Sequence, residues 1–145
     1  MTSQGTFAPA AAELALLTGP TPAAGAQPTY TVPANYRIQI LTIHTIYSPD
    51  PLTGNRKLYF EAYKGLTQIV RIGTYNPINA GLVNLPITLA PGLPLMNTAD
   101  TTATYLNIPS LILDPNDSVT LLPLFLAAPD QFGPFHILAN CWIRP

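Results

Sequence analysis

The apolar residues of this chain fall into short runs that are typical of β-strands. Residues 36–47 (YRIQILTIHTIY) are dense in β-branched and aromatic side chains, and their apolar positions begin with a period of two. The apolar phase shifts near Ile40 and Leu41, which indicates either a β-bulge or burial of both faces. Residues 57–63 alternate, with one face formed by Leu58, Phe60 and Ala62 and the other by Tyr59, Glu61 and Tyr63.

Six further runs read as strands, separated by loops rich in Pro, Gly, Asn and Asp. They cover residues 67–75, 82–89, 101–108, 111–113, 118–126 and 135–143. Pro86 favours an edge position for the second of these, and Asp114 to Asp117 predicts a turn. About eight strands at regular spacing, with no convincing helix among them, predict an all-β, antiparallel two-sheet sandwich or a barrel, and eight strands fit a jelly roll best.

Residues 1–35 differ from the rest and predict an extended N-terminal arm ahead of a sandwich domain at residues 36–145. They are rich in Ala, Pro, Thr, Gly and Gln, and Glu13 is their only charged residue. Good helix formers at 10–17, before Gly19-Pro20, allow at most one short helix, and residues 18–32 read as a Pro-rich linker.

The arm has two interpretations, a solvated tail or a segment that orders along another subunit. Its apolar side chains favour the second interpretation. The predicted assembly contacts are Phe7, Leu14, Leu17 and Tyr30. If the arm is separate from the sandwich, deletion of residues 1–30 should leave a folded domain that no longer binds its partner.

Composition points to association rather than to electrostatic binding. Apolar residues make up 48% of the chain and charged residues only 9%, whereas about a quarter is usual for globular domains. The net charge of −1 comes without a basic patch, so we expect no nucleic-acid and no membrane partner. Cys141 is the only cysteine and no signal peptide is expected. The longest apolar runs are shorter than the roughly 20 residues of a membrane-spanning helix.

Candidate catalytic or metal-binding residues are few and scattered. His44 lies in the first strand run and His136 in the last, and Cys141 faces opposite to His136 on a regular strand. None of the serines sits in a nucleophile elbow. Asp114, Asn116 and Asp117 offer oxygen ligands for Ca²⁺ without the spacing of a calcium loop. We therefore predict no enzyme, and no catalytic, cofactor-binding or metal-binding residue. Seven tyrosines and Trp142 leave open a sugar-binding platform.

Several segments together resemble small β-sandwich structural proteins of tailed bacteriophages. They are residues 36–43 (YRIQILTI), 55–65 (NRKLYFEAYKG), 106–122 (LNIPSLILDPNDSVTLL), 127–133 (AAPDQFG) and the final run at 135–143. The likeness covers roughly residues 36–143 and lies in the order of strands and turns. The turn at 114–117 departs from the Pro-Ala-Gly form of that group.

The resemblance implies a jelly-roll-like head decoration, or cement, protein that binds the outside of a capsid and stabilises the shell. It implies the major capsid protein and copies of the chain itself as partners, in a homotrimer or a dimer, and no cofactor. Such a protein is made in the host cytoplasm and resides on the virion surface. The alternatives are a neck or fibre-base structural protein and a receptor- or carbohydrate-binding module of a head or tail fibre.

Overall fold

The chain forms two β-sheets that share one core. A computed structural model describes residues 12–52, 54–74, 77–93, 103–124 and 129–143, and these residues contain eleven strands and no helix. The strands are β1 (Glu13–Thr18), β2 (Thr29–Thr31), β3 (Tyr36–Ser48), β4 (Leu58–Lys64), β5 (Thr67–Gly73), β6 (Leu85–Ala90), β7 (Thr104–Asn107), β8 (Ile112–Leu113), β9 (Ser118–Pro123), β10 (Gln131–Phe132) and β11 (His136–Ile143). The all-β two-sheet prediction is confirmed.

The larger sheet has the order β1-β11-β3-β6-β7, with β8 and β10 also paired to β3, and the smaller sheet has the order β2-β9-β4-β5. Every described pairing is antiparallel except that of β6 with β7, which is parallel. The sandwich is therefore mixed, not wholly antiparallel as predicted. Residues 91–103 join the two parallel strands, and a connection of about a dozen residues is what a parallel pairing requires. The jelly-roll topology stays a prediction.

Side-chain alternation builds the core between the sheets. In β4, Leu58, Phe60 and Ala62 are fully buried, so the two predicted faces of this strand are confirmed. In β3, Leu138 of β11 pairs with Thr42 whereas Ala139 pairs with Ile40. Leu41 is therefore the extra residue of a β-bulge, which was one of the two interpretations of the shift in apolar phase. The bulge lets both halves of this long strand bury side chains on the same side of the sheet.

The first described residues form an edge strand, where the sequence allowed at most one short helix at 10–17. Glu13–Thr18 pairs antiparallel with β11 along its whole length. Ala15 and Leu17 pack against the core, while Leu14 and Leu16 face outward. Pairing with β11 supplies the backbone with partners and buries one face, which an isolated helix of two turns does not achieve.

Residues 19–31 continue from the larger sheet to the smaller one. The Gly19 amide donates to the Phe135 carbonyl at 2.8 Å, and the Gly25 amide donates to the Asp130 carbonyl at 2.8 Å. β2 then pairs with β9 and places Tyr30 in the core. The part of the predicted arm that the structure describes thus lies on both sheets. The eight predicted strands correspond to β3–β9 and β11, and β1, β2 and β10 were not predicted.

The position of β6 differs from the edge location that Pro86 suggested. β6 lies between β3 and β7, so it is flanked on both sides. Pro86 is opposite Ile46 of β3, but β7 pairs with β6 only from Ile87 onward. The proline thus sits outside the segment that β7 covers, and its lack of an N–H removes no bond to β7.

Candidate functional site

The outer face of the larger sheet carries exposed leucines next to its β1 edge. Leu14 and Leu16 of β1 are 65% and 68% exposed. Leu16 is directly opposite Leu138 of β11, which is 36% exposed. These three residues, here called the leucine strip, lie on one face because outward positions recur every second residue in both strands. The strip therefore exposes apolar side chains to solvent.

The strand that bears the strip also lacks the usual protection of a sheet edge. Among the described strands β1 pairs only with β11, so no described strand covers the backbone N–H and C=O groups on its other side. Glu13 is its only charged residue, and the strand contains no proline and no bulge. Natural edge strands are usually blunted by lysine, proline or a bulge because an open apolar edge pairs with other chains.

The structure places the predicted contact residues in different environments. Leu14 is part of the leucine strip, and Phe7 lies outside the described residues. Leu17 is half-buried against the core of its own chain. Tyr30 is only 7% exposed, and burial raises the pKa of its hydroxyl. We therefore drop Tyr30 from the contact set, because its side chain already packs within its own chain.

The two histidines, far apart in sequence, are neighbours in the sheet. His136 of β11 is directly opposite His44 of β3. Thr18 Oγ1 lies 3.5 Å from His136 Nδ1, and Thr88 Oγ1 lies 3.4 Å from His44 Nδ1. Cys141 is buried on the opposite side of β11, as predicted, and burial raises the pKa of its thiol. The sequence did not predict the histidine pair, because the register between two strands cannot be read from the sequence of either strand.

The oxygen ligands considered for Ca²⁺ are engaged by cations and backbone amides. Asp114 contacts Arg37 Nε at 3.0 Å and Lys64 Nζ at 3.0 Å. Asp117 contacts Lys64 Nζ at 2.8 Å and accepts from the Asp114 amide at 2.8 Å. Burial opposes the charge on Lys64, but hydrogen bonds to Asp117 and Asp114 outweigh it and raise the lysine pKa. Within the described ranges no three His, Cys, Asp or Glu residues are grouped to hold a metal ion.

A groove of about 440 Å³ lies on the outer face of the smaller sheet. Its polar lining includes Glu61, which accepts a hydrogen bond from Tyr63 Oη at 2.9 Å and pairs with Arg71 Nε at 3.3 Å. The remaining lining residues are Gln27, Thr29, Gly65, Leu66, Ser118, Thr120 and Leu122. The Arg71 guanidinium also lies over the Tyr59 ring, 4.4 Å from its centroid. This face therefore offers neutral hydroxyl and amide groups beside an aromatic ring.

The aromatic residues that the structure describes do not form the single platform that the sequence left open. Trp142 alternates outward on β11 in the larger sheet, whereas Tyr59 and Tyr63 lie on the smaller sheet. Tyr30 and Tyr47 are buried in the core. Any sugar contact by an aromatic ring at the groove would therefore involve Tyr63 and not Trp142.

No family model, no curated protein and no solved structure matches this chain. Over the residues that the structure describes, there is no helix with the length and apolar character needed to cross a membrane.

Proposed function

We propose that this chain is a non-enzymatic virion structural protein that binds the outer surface of a bacteriophage capsid and stabilises the shell. The observation that carries the proposal is the leucine strip beside the β1 edge of the larger sheet. The low charge of the chain and its resemblance to phage β-sandwich proteins support the same role. Its partners would be the major capsid protein and copies of itself, as a homotrimer or a dimer.

The mechanism is burial of apolar surface at many equivalent places. Complete burial of one leucine side chain contributes roughly 1.5–3 kcal/mol. The loss of translational and rotational freedom when two proteins associate costs several kcal/mol or more. Leu14, Leu16 and Leu138 therefore make a weak contact when one copy binds alone. Linked copies on a symmetric shell bind together, because each later contact forms at high effective concentration.

The backbone of β1 can orient the partner through main-chain hydrogen bonds. An extended segment of a partner can add to an open sheet edge through main-chain hydrogen bonds, while side chains on alternate positions give specificity. Leu14 and Leu16 occupy such alternate positions on the outer face. The proposed partner segment is therefore an extended strand with apolar residues at every second position.

The test is co-sedimentation of the full chain with shells assembled from the major capsid protein of its own phage. The variant L14S/L16S keeps the inward residues of β1, and we expect at least a tenfold weaker binding to shells. The control variant L66S/V83S removes two other exposed apolar side chains, 101% and 78% exposed, and should bind as the parent does. Shell binding by L14S/L16S equal to that of the parent would overturn the proposal.

The neck and fibre-base roles use the same kind of surface and differ in location. A decoration protein occupies many positions over the shell, whereas a neck or fibre-base protein occupies one vertex. Electron microscopy of virions labelled with an antibody to the chain distinguishes these arrangements. Label spread over the whole shell supports decoration, and label at one vertex supports a neck or fibre-base role.

The polar groove supports a second candidate, a carbohydrate-binding module. Tyr63 offers a ring face, and Glu61, Thr29 and Thr120 offer hydrogen-bonding groups of the kind that sugar hydroxyls need. A glycan array should then give signals that Y63A removes and that W142F leaves intact, since Trp142 lies on the other sheet. Absence of any array signal from the parent protein would reject this candidate.

A further inference from the structure

The histidine pair has the placement of two ligands for one metal ion. His44 and His136 are directly opposite on antiparallel neighbouring strands. Side chains in such a pair have Cβ atoms about 4.5–5.5 Å apart and project from the same face. His136 is exposed and His44 half-buried, so both imidazoles are on the accessible face of the larger sheet.

The flanking strands supply the contacts that orient metal-binding histidines. Thr18 on β1 lies next to His136, and Thr88 on β6 lies next to His44, each with its hydroxyl 3.4–3.5 Å from Nδ1. In the tautomer in which Nδ1–H donates to the threonine oxygen, Nε2 carries the lone pair. A partner on the second ring nitrogen fixes the tautomer of metal-bound histidines in the same way.

We propose that His44 and His136 together form an open two-ligand site for a divalent transition metal such as Zn²⁺, Ni²⁺ or Cu²⁺. Imidazole nitrogen suits these ions, whereas Mg²⁺ and Ca²⁺ prefer oxygen ligands. Water fills the remaining coordination positions, because the described residues offer no third His, Cys, Asp or Glu at this place. The site does not depend on the proposed assembly role.

The histidine content of the chain makes the test direct. His44 and His136 are its only two histidines, and Cys141 faces the core. Titration of the untagged full chain with Zn²⁺ or Ni²⁺ by calorimetry should give one ion per chain. H44Q and H136Q should each bind at least tenfold more weakly. One variant binding as tightly as the parent, or two ions per chain, would overturn the proposal.

A matched control separates pairing from mere histidine content. The variant H136N/N140H keeps the composition and moves the second histidine along the same face of β11. Position 140 is opposite Gln39, about 14 Å along the strand from the original site at roughly 3.4 Å per residue. Its affinity should fall to that of H136Q. Affinity equal to that of the parent would refute chelation by the pair.

NMR of the parent protein gives a readout that needs no substitution. Zn²⁺ held by both rings should shift the ring signals of His44 and His136 together, with both changes complete at one equivalent. A shift of one ring alone would contradict the two-ligand site. Circular dichroism of each variant verifies that the sheet is retained, which the exposed position of His136 favours.

Discussion

Arg56 and Asp130 form a buried ion pair that links loops of the sandwich. Their side chains are 1% and 0% exposed, and Arg56 Nε and an Nη lie 3.2 and 3.3 Å from the carboxylate oxygens. Asp130 also accepts from the Asp50 amide at 2.7 Å, and Arg56 donates to the Gly54 carbonyl at 3.0 Å. The pair therefore joins two loops that are separated in sequence, with each charge satisfied by several partners.

Replacing Asp130 by Asn should destabilise the protein strongly. The substitution leaves the Arg56 charge buried without its counterion, and such a loss costs about 3–5 kcal/mol. Urea unfolding followed by fluorescence measures the change. The control D114N removes two partly exposed ion pairs, those with Arg37 and Lys64, and should cost no more than about 1 kcal/mol. Similar costs for D130N and D114N would contradict this account.

Tyr47 should control part of the stability at alkaline pH. Burial raises the pKa of its hydroxyl, and the negative charge of Asp130 acts in the same direction. Above about pH 10 the unfolded state releases this proton while the native state retains it. Stability should therefore fall with pH, by about 1.4 kcal/mol per unit for this residue.

The variant Y47F tests this contribution. It removes a buried hydroxyl that lies beside Asp130 and Arg56, while it retains a ring stacked on Phe132 at 4.2 Å between centroids. Its stability at pH 7 should change by less than about 1 kcal/mol. Between pH 10 and 11 it should lose less stability than the parent, and parallel pH profiles would contradict the prediction.

At the scale of elements, β1 has the greatest consequence for function. A segment of helix-forming residues becomes a strand because β11 offers it a complete ladder of partners and the core accepts Ala15 and Leu17. The same alternation sends Leu14 and Leu16 outward. Pairing with β11 thus determines both that residues 13–18 form a strand and that Leu14 and Leu16 are exposed.

Cross-strand disulfides test the register of β1. Leu16 and Leu138 are direct partners, so L16C/L138C should oxidise to an intrachain disulfide under mild conditions. In L14C/L138C the two positions are diagonal, since Leu14 is opposite Asn140. That variant should remain reduced under the same conditions. Mass spectrometry after thiol alkylation measures the outcome, and equal oxidation of both variants would contradict the register.

At the scale of the whole molecule, residues 12–31 contribute a strand to each of the two sheets. β1 completes one edge of the larger sheet, and β2 pairs with β9 in the smaller sheet. Tyr30 and the adjacent Val32 are part of the core. We therefore now expect that a chain without residues 1–30 does not stay folded, because the deletion removes β1, most of β2 and the core side chain of Tyr30.

Truncation gives the corresponding prediction. A chain that begins at residue 12 keeps every contact described above and should remain folded. A chain that begins at residue 32 should lose several kcal/mol or fail to fold, since burial of Tyr30 and both ladders are lost. Equal urea midpoints for the two truncated chains would contradict the role assigned to β1 and β2.

The sequence by itself determined those features that depend on near neighbours. The two faces of β4, the turn at Asp114 to Asp117 and the opposite orientation of His136 and Cys141 follow from alternation and turn chemistry over a few residues. The tertiary structure alone decided that residues 13–18 form a strand, that β6 and β7 run parallel and that His44 faces His136. It also brought together Arg56 and Asp130, which are 74 residues apart. Strand order and register are set by the free energy of burying whole sheets against each other, which no short stretch of sequence contains.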